Sequence, residues 1–358
     1  MSLALFSVLL SVLITPSVDA QRYGVVIPEV HPALSWQKCT VPGGCTAQAG
    51  KVVLDANWRW YHSGSWDCWD GTDWQLVTRP SGSQSPNVGS RVYLMADDNS
   101  YATFKPLAQE IAFDVDMSTL ECGIAADIHF AEMAADGGIA ESPAGWNNAG
   151  AKYGTGYCGA QCPRDVRFIQ GHLNYQGNGP TPPPFGLGPY GSCCAEMDLW
   201  QANKFSTATT AHPCLIQGRF KCEEDDCGAS APSGNSANGV CDPDGCDFNP
   251  FRMGNPSFYG LGNTVDTTKK LTVVTQFITD NGTPSGSLIE IRRNGVPIAN
   301  SYVNVPGVDP FFNSITSQYC DQQKAAFGDM PSFQTKGGWD ALGGGFKTRD
   351  GTGIEHLR

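Results

Sequence analysis

Apolar and polar positions alternate with period two along much of the chain. Ile111, Phe113 and Val115 are interleaved with Ala112, Asp114 and Asp116. Residues 51–60 (KVVLDANWRW), 91–95 (RVYLM), 271–278 (LTVVTQFI) and 287–292 (SLIEIR) read the same way, as half-buried or buried strands. Between them lie clusters of Gly, Pro, Asn and Ser at 81–89, 177–191 and 230–245, which read as loops. Helical periodicity is almost absent, no internal repeat is visible, and no linker divides the chain. The pattern predicts one all-β domain, a sandwich with long turn-rich loops. Residues 343–358 are polar, Gly-rich and unpatterned, and predict a loose end.

Residues 1–20, MSLALFSVLLSVLITPSVDA, are different. A short apolar run is broken by Pro16 and ends on a small residue at Ala20. That predicts a secretory signal cleaved before Gln21, since the run is too short to span a bilayer comfortably. All 14 cysteines lie after residue 38. In a secreted chain an even number predicts disulfides, and no pair has zinc-ligand spacing. The neighbours Cys193 and Cys194 would point to opposite faces of a strand. Each therefore needs a distant partner, with Cys158 and Cys162 the obvious candidates.

Charge narrows the functions. Lys plus Arg number 23 against 35 Asp plus Glu, a formal net charge of −12. Such a chain cannot neutralise phosphates, so nucleic acid is excluded as a partner, and an anionic membrane surface is disfavoured. Charged residues are only 16%, below the roughly 25% of ordinary domains. A neutral, polyhydroxylated ligand fits that surface.

The most informative segment is 191–203, GSCCAEMDLWQAN. Read as a regular strand, Ala195, Met197 and Leu199 face a core, while Glu196, Asp198 and Trp200 face the other way. Two carboxylates so placed repel each other, which raises at least one pKa. The pattern alone is equally that of a solvated acidic face. Paired carboxylates beside aromatics suggest glycoside hydrolysis. Its retaining form needs a nucleophile and a proton donor about 5–5.5 Å apart.

The segment resembles the active-site strand of glycoside hydrolase family 7, the secreted cellobiohydrolases and endoglucanases that cut β-1,4-glucan. That family's Glu-x-Asp-x-x-Glu, followed by His-Pro-Cys, corresponds here to Glu196-Met-Asp198-Leu-Trp-Gln201 and His212-Pro213-Cys214. Further stretches resemble it in order: HPALSWQKC (31–39), LDANWRW (54–60), NVGSRVYLMADD (87–98), AGAKYGTGYC (149–158), CDPDGCDFNPFR (241–252) and DTTKKLTVVTQF (266–277). The resemblance runs from about Gln21 to Gly338, as one catalytic domain, with residues 339–358 a non-matching tail. It implies a concanavalin-like β-jelly roll of two antiparallel sheets whose long loops form a glucan cleft. Glu196 takes the nucleophile's place and Asp198 that of its orienting partner. Trp60 matches a sugar-stacking platform, and Arg91, Tyr157, Gln161, His212 and Arg252 match cleft residues. The implied partner is a cellulose or β-1,4-glucan chain, acted on by a secreted monomer that needs no cofactor and no metal. The implied disulfides are Cys39–Cys45, Cys158–Cys194, Cys162–Cys193, Cys214–Cys241, Cys222–Cys227 and Cys246–Cys320.

The chain departs from that pattern where it matters. Gln201 stands at the family's acid/base glutamate. A carboxamide hydrogen-bonds but does not deliver a proton at useful pH, and losing such a group typically costs 10²–10⁴-fold. Gln201 is out of phase with Glu196, so it reaches the cleft only if the strand bulges. Ala125, His129 and Gly159 replace the family's usual Asn, Tyr and Asp. Segments are absent between Trp74 and Asn87, after Arg293 and after Gly338. Cys68 and Cys122 lose their implied partners there, and missing strands predict open sheet edges. Three outcomes are therefore open: a glucanase of doubtful turnover, a glucan-binding pseudoenzyme, and a non-functional truncated product.

Overall fold

A computed structural model describes residues 30–40, 43–58, 91–174, 187–231, 233–280, 283–347 and 354–357. The leader, Trp60, Cys68 and the loop at 81–89 lie outside the described residues, as does most of the loop at 177–191. The described chain is mostly β, with short helices near its end. Seven strands form one antiparallel sheet in the spatial order Cys246–Phe248, Thr207–His212, Glu196–Ala202, Ala126–Ala131, Ile354–Leu357, Val92–Met95 and Lys51–Leu54. Five more strands form a second sheet. Val296–Ile298, Thr283–Arg293, Leu271–Asp280 and Glu110–Val115 lie side by side, and Ile315–Thr316 joins Thr283–Arg293.

Alternation explains how these sheets bury their apolar residues. Phe130, Met197, Leu199 and Ala211 of the first sheet share one core with Phe277 of the second, and Ile111 and Phe113 pack against it. The disulfide sulfurs thicken this core, because Cys162, Cys193, Cys214, Cys222, Cys227, Cys241, Cys246 and Cys320 are all buried within it. The pairs are the six that the resemblance implies. Adjacent Cys193 and Cys194 do diverge, to Cys162 and Cys158 respectively. Each link closes a loop and so restricts the unfolded chain. Cys122 is exposed and unbridged.

Three expectations need correction. The predicted strand at 51–60 stops at Leu54 and turns through a 3-10 segment, Ala56–Trp58. The end of the chain is more ordered than its composition suggests. Helices Ser317–Phe327, Ser332–Thr335 and Gly338–Lys347 follow the second sheet. The first is defined by its ends: the Thr316 hydroxyl accepts from the Tyr319 N–H, and Gly328 closes it at a φ of 71°, the left-handed stop that glycine takes without strain. Beyond the helices, Ile354–Leu357 lies between Val92–Met95 and Ala126–Ala131 and pairs with both. The sequence predicted open sheet edges without placing them; between these two strands the edges are paired by residues 354–357, since unpaired strand N–H and C=O groups bind any extended segment within reach.

That last strand bridges two halves of the main sheet. Ending the chain at residue 349 is expected to lower the unfolding midpoint by more than about 5 °C, from the loss of several ladder hydrogen bonds at ~1 kcal/mol each. Paired thermal melts of the full and shortened chains check this. Equal midpoints would show that the strand contributes nothing.

Candidate active site

The central strand Glu196–Ala202 holds the chemistry. Asp198 is paired with His129 on one neighbour and Thr210 on the other. Past that point the register slips. Trp200 pairs with Ile128, and Gln201 with Asp127 and Ala208, so the strand carries one extra residue between Asp198 and Trp200. This is a β-bulge, and it reverses the facing of everything after it. Trp200 therefore does not share a face with Glu196 and Asp198. It is 2% exposed, packs with Phe258 and Val265, and meets Tyr259 edge-on at 5.7 Å between ring centroids. Gln201 is rotated instead onto the face of its register partner Asp127, because directly opposed residues project the same way.

Glu196, Asp198, His129, Asp127 and His212 form a buried cluster. A carboxylate oxygen or ring nitrogen from each of Asp127, His129, Glu196 and Asp198 lies within 4.8 Å of the others. His212 approaches from the other neighbouring strand, with Nε2 3.2 Å from Asp198 Oδ2. Its Nδ1 lies 2.9 Å from the Asp242 carbonyl oxygen, which can only accept, so Nδ1 carries a proton. Burial alone would lower the His212 pKa, but the Asp198 hydrogen bond and charge, with the Glu196 charge, push it up to about 10. The ring is packed against Gly245, where an added Cβ would sit 2.6 Å from Cε1 and Nδ1.

His129 obeys the same balance. Burial opposes its charge, yet Asp127, Glu196 and Asp198 raise its pKa to about 9. Its Nδ1 is 3.0 Å from Asp127 Oδ2. Glu196 is raised by burial first and by the Asp198 charge second, while both imidazoliums and a backbone N–H oppose the rise. That N–H belongs to Ala160 and donates to Glu196 Oε2 at 2.9 Å. The carboxylate reaches it because residue 159 is glycine. A Cβ there would lie 2.5 Å from Oε2 and 3.2 Å from the Tyr157 hydroxyl. Protons thus balance three carboxylates against two imidazoles. The other close group, Cys162, Cys193 and Cys241, is tied up in disulfides and offers no thiolate to a metal.

The remaining expected residues divide. Tyr157 and the exposed Gln161 border Gly159 beside Glu196. Arg91 is buried, stacks 3.6 Å above the Tyr157 ring and pairs with Asp55 at 3.3 Å, so it supports the site through Tyr157. Arg252 stands two strands from Asp198, held at 2.7 Å by both Asp247 and Asp329. Trp60 lies outside the described residues. Sequence reasoning overlooked Asp127 and the Ala160 N–H. Asp127 was visible as the partner of His129 in the alternating ADIHFA of 126–131.

Glu196, held by the Ala160 N–H, and Asp198, held by His212, thus form a buried carboxylate pair on a bulged strand. The sequence profile of Glycosyl hydrolase family 7 matches residues 23–82 and 75–349. The chain belongs to that family of cellulases. A family 7 cellobiohydrolase from Daphnia pulex is 38% identical, with a TM-score of 0.81 over 92% of this chain and 84% of the other. The cellobiohydrolase from Melanocarpus albomyces, solved with cellotetraose, is 36% identical at a TM-score of 0.80, over 93% and 84%. An endocellulase from Humicola insolens is 27% identical at 0.73, over 92% and 85%.

The site's protonation has a measurable consequence. A group whose pKa is raised on folding contributes its stability below its unfolded pKa and loses it as pH passes the folded value. His129 and His212 therefore stabilise fully below about pH 6.5 and lose that contribution toward about 9 and 10. Glu132, raised by burial to about 7, acts in the same direction from lower pH. Asp97, Asp98, Asp116 and Asp266 have lowered pKa values and lose theirs only in acid. The melting midpoint is expected to peak near pH 4–5, where the lowered aspartates are ionised and Glu132 is still protonated, and to fall by more than about 5 °C by pH 10. A midpoint that is flat or rising over that range would refute the assignment.

Proposed function

We propose that this chain is a secreted β-1,4-glucan hydrolase with a retaining two-carboxylate site, on a concanavalin-like β-jelly roll. The carrying observation is the bulge. It puts Gln201 on the same face as Glu196 and Asp198, where a proton donor is needed, while Glu196 is held by the Ala160 N–H as the nucleophile. The shared core of the two sheets supports the jelly roll. Six disulfides support an oxidising, extracellular setting, and no helix among the described residues is long and apolar enough to cross a membrane. The cellotetraose bound by the Melanocarpus relative supports a cello-oligosaccharide ligand here, taken by a monomer with Tyr157, Gln161 and His212 on the substrate side.

In this reading Glu196 attacks the anomeric carbon and Asp198, locked by His212, fixes its orientation. The Gln201 carboxamide hydrogen-bonds the sugar without protonating the departing oxygen. That specific substitution favours a second reading, a glucan-binding protein of low turnover. The two separate in one series. Wild type should bind cellotetraose, and Gln201→Glu should raise its hydrolysis by about two orders of magnitude. Binding without any gain in the variant would favour the binding protein. Absence of binding would reject both readings.

A further inference from the structure

On the core side of the central strand lies a cavity that the carboxylate site does not use. It sits between the edge strand Cys246–Phe248 of the first sheet and Ile315–Thr316 of the second. Its volume is about 490 Å³, within the roughly 300–1,000 Å³ of small-molecule pockets. Trp200, Phe248, Phe258 and Ile315 form its apolar wall. The bulge supplies the first of these, because the slip that takes Trp200 off the carboxylate-bearing face turns its indole inward. The mouth is polar, since Asn300 and Asn313 are the exposed members of the lining. Among the described residues, no charged side chain and no imidazole lines it.

Two polar groups in the wall are buried without a hydrogen-bond partner, the Trp200 indole N–H and the Thr207 hydroxyl. Trp200 is 2% exposed and Thr207 5%. Native structures leave few such groups, because each carries the full cost of its desolvation. Two other hydroxyls of the lining are engaged. Thr209 Oγ1 donates to the Leu199 carbonyl at 3.1 Å, and Ser301 Oγ donates to the Tyr302 carbonyl at 3.1 Å. The indole is clamped by Phe258 and Tyr259, but the Thr207 hydroxyl turns toward the cavity by rotation about a single bond.

These features select a ligand by its chemistry. An ion finds no counter-charge in the lining. A sugar ring carries hydroxyls on nearly every carbon, and the buried wall offers them one available hydroxyl, so most would be left unpaired. A flat apolar ring instead packs edge-on or offset against Trp200, Phe248 and Phe258, with one hydroxyl bonded to Thr207. We propose that this cavity is a binding site for a small neutral phenol. The proposal goes beyond the glucan reading and does not depend on it.

Fluorine NMR of the full chain carrying fluorotryptophan reads the cavity directly, with the Trp200 resonance identified by its loss in Trp200→Phe. Phenol should shift that resonance saturably, with a Kd on the order of 1 mM, and leave the other tryptophan resonances in place. Glucose, benzoate and cyclohexanol at the same concentration should shift it several-fold less. Thr207→Val, which keeps the shape and removes the hydroxyl, should weaken phenol binding by roughly five- to tenfold. Asn313→Phe, which narrows the mouth, should weaken it further. The absence of a saturable shift with phenol would overturn the proposal, and so would a shift unchanged in both variants. Glucose, benzoate or cyclohexanol binding as tightly as phenol would overturn the ligand class. A shift common to all tryptophans would show non-specific solvation and overturn the site. Should Asn313→Phe fail to fold, Thr207→Val decides alone. Failure of the wild type to bind or cleave cellotetraose leaves this test untouched, so the two readings fail separately.

Discussion

Three carboxylates cannot be buried side by side on one sheet face without compensation, and that constraint organises this molecule. Asp127, Glu196 and Asp198 are each at least nine-tenths buried, where uncompensated charge is costly. Two imidazoles supply the balance. His212 is locked between the Asp198 carboxylate and the Asp242 carbonyl. His129 is held by Asp127. The surrounding structure is shaped to this packing: Gly245 makes room for one ring, and Gly159 makes room for the Glu196 side chain.

The bulge is the second constraint, and it works through geometry alone. One extra residue in the central strand moves Trp200 off the carboxylate-bearing face into the core and brings Gln201 onto that face. The same slip puts Gln201 opposite Asp127. A regular strand would have kept the indole beside the carboxylates and hidden residue 201 among apolar neighbours.

Much of the fold was legible in the sequence because a sheet's burial pattern has period two. The alternation at 111–116 and 271–278 corresponds to strands whose inward residues share the core. The cysteine pairs were legible through family resemblance rather than spacing. Other features were hidden for identifiable reasons. Helix Ser317–Phe327 is rich in Gln and Ala and is set by its caps, so it lacks an apolar stripe to read. The strand Ile354–Leu357 follows a Gly-rich stretch and is specified by the sheet edges it joins. At the site, Glu196, Asp198 and His212 were legible from the motif, and the facing of Gln201 was conditional on a bulge that no local residue announces. Trp200 was misplaced because alternation was extended through that bulge. Asp127 was passed over because its importance depends on a cross-strand partner seventy-four residues away.

The central claim is that Glu196 is a working nucleophile in a site whose usual proton donor is absent. It is tested most directly with a 2-deoxy-2-fluoro cellobioside carrying a dinitrophenyl leaving group, which needs no acid to react and whose covalent adduct turns over slowly. Peptide mass spectrometry of the treated full chain is predicted to find one cellobiosyl adduct, on Glu196, absent from Glu196→Gln. An unmodified chain, or an adduct on any other residue, would contradict the account.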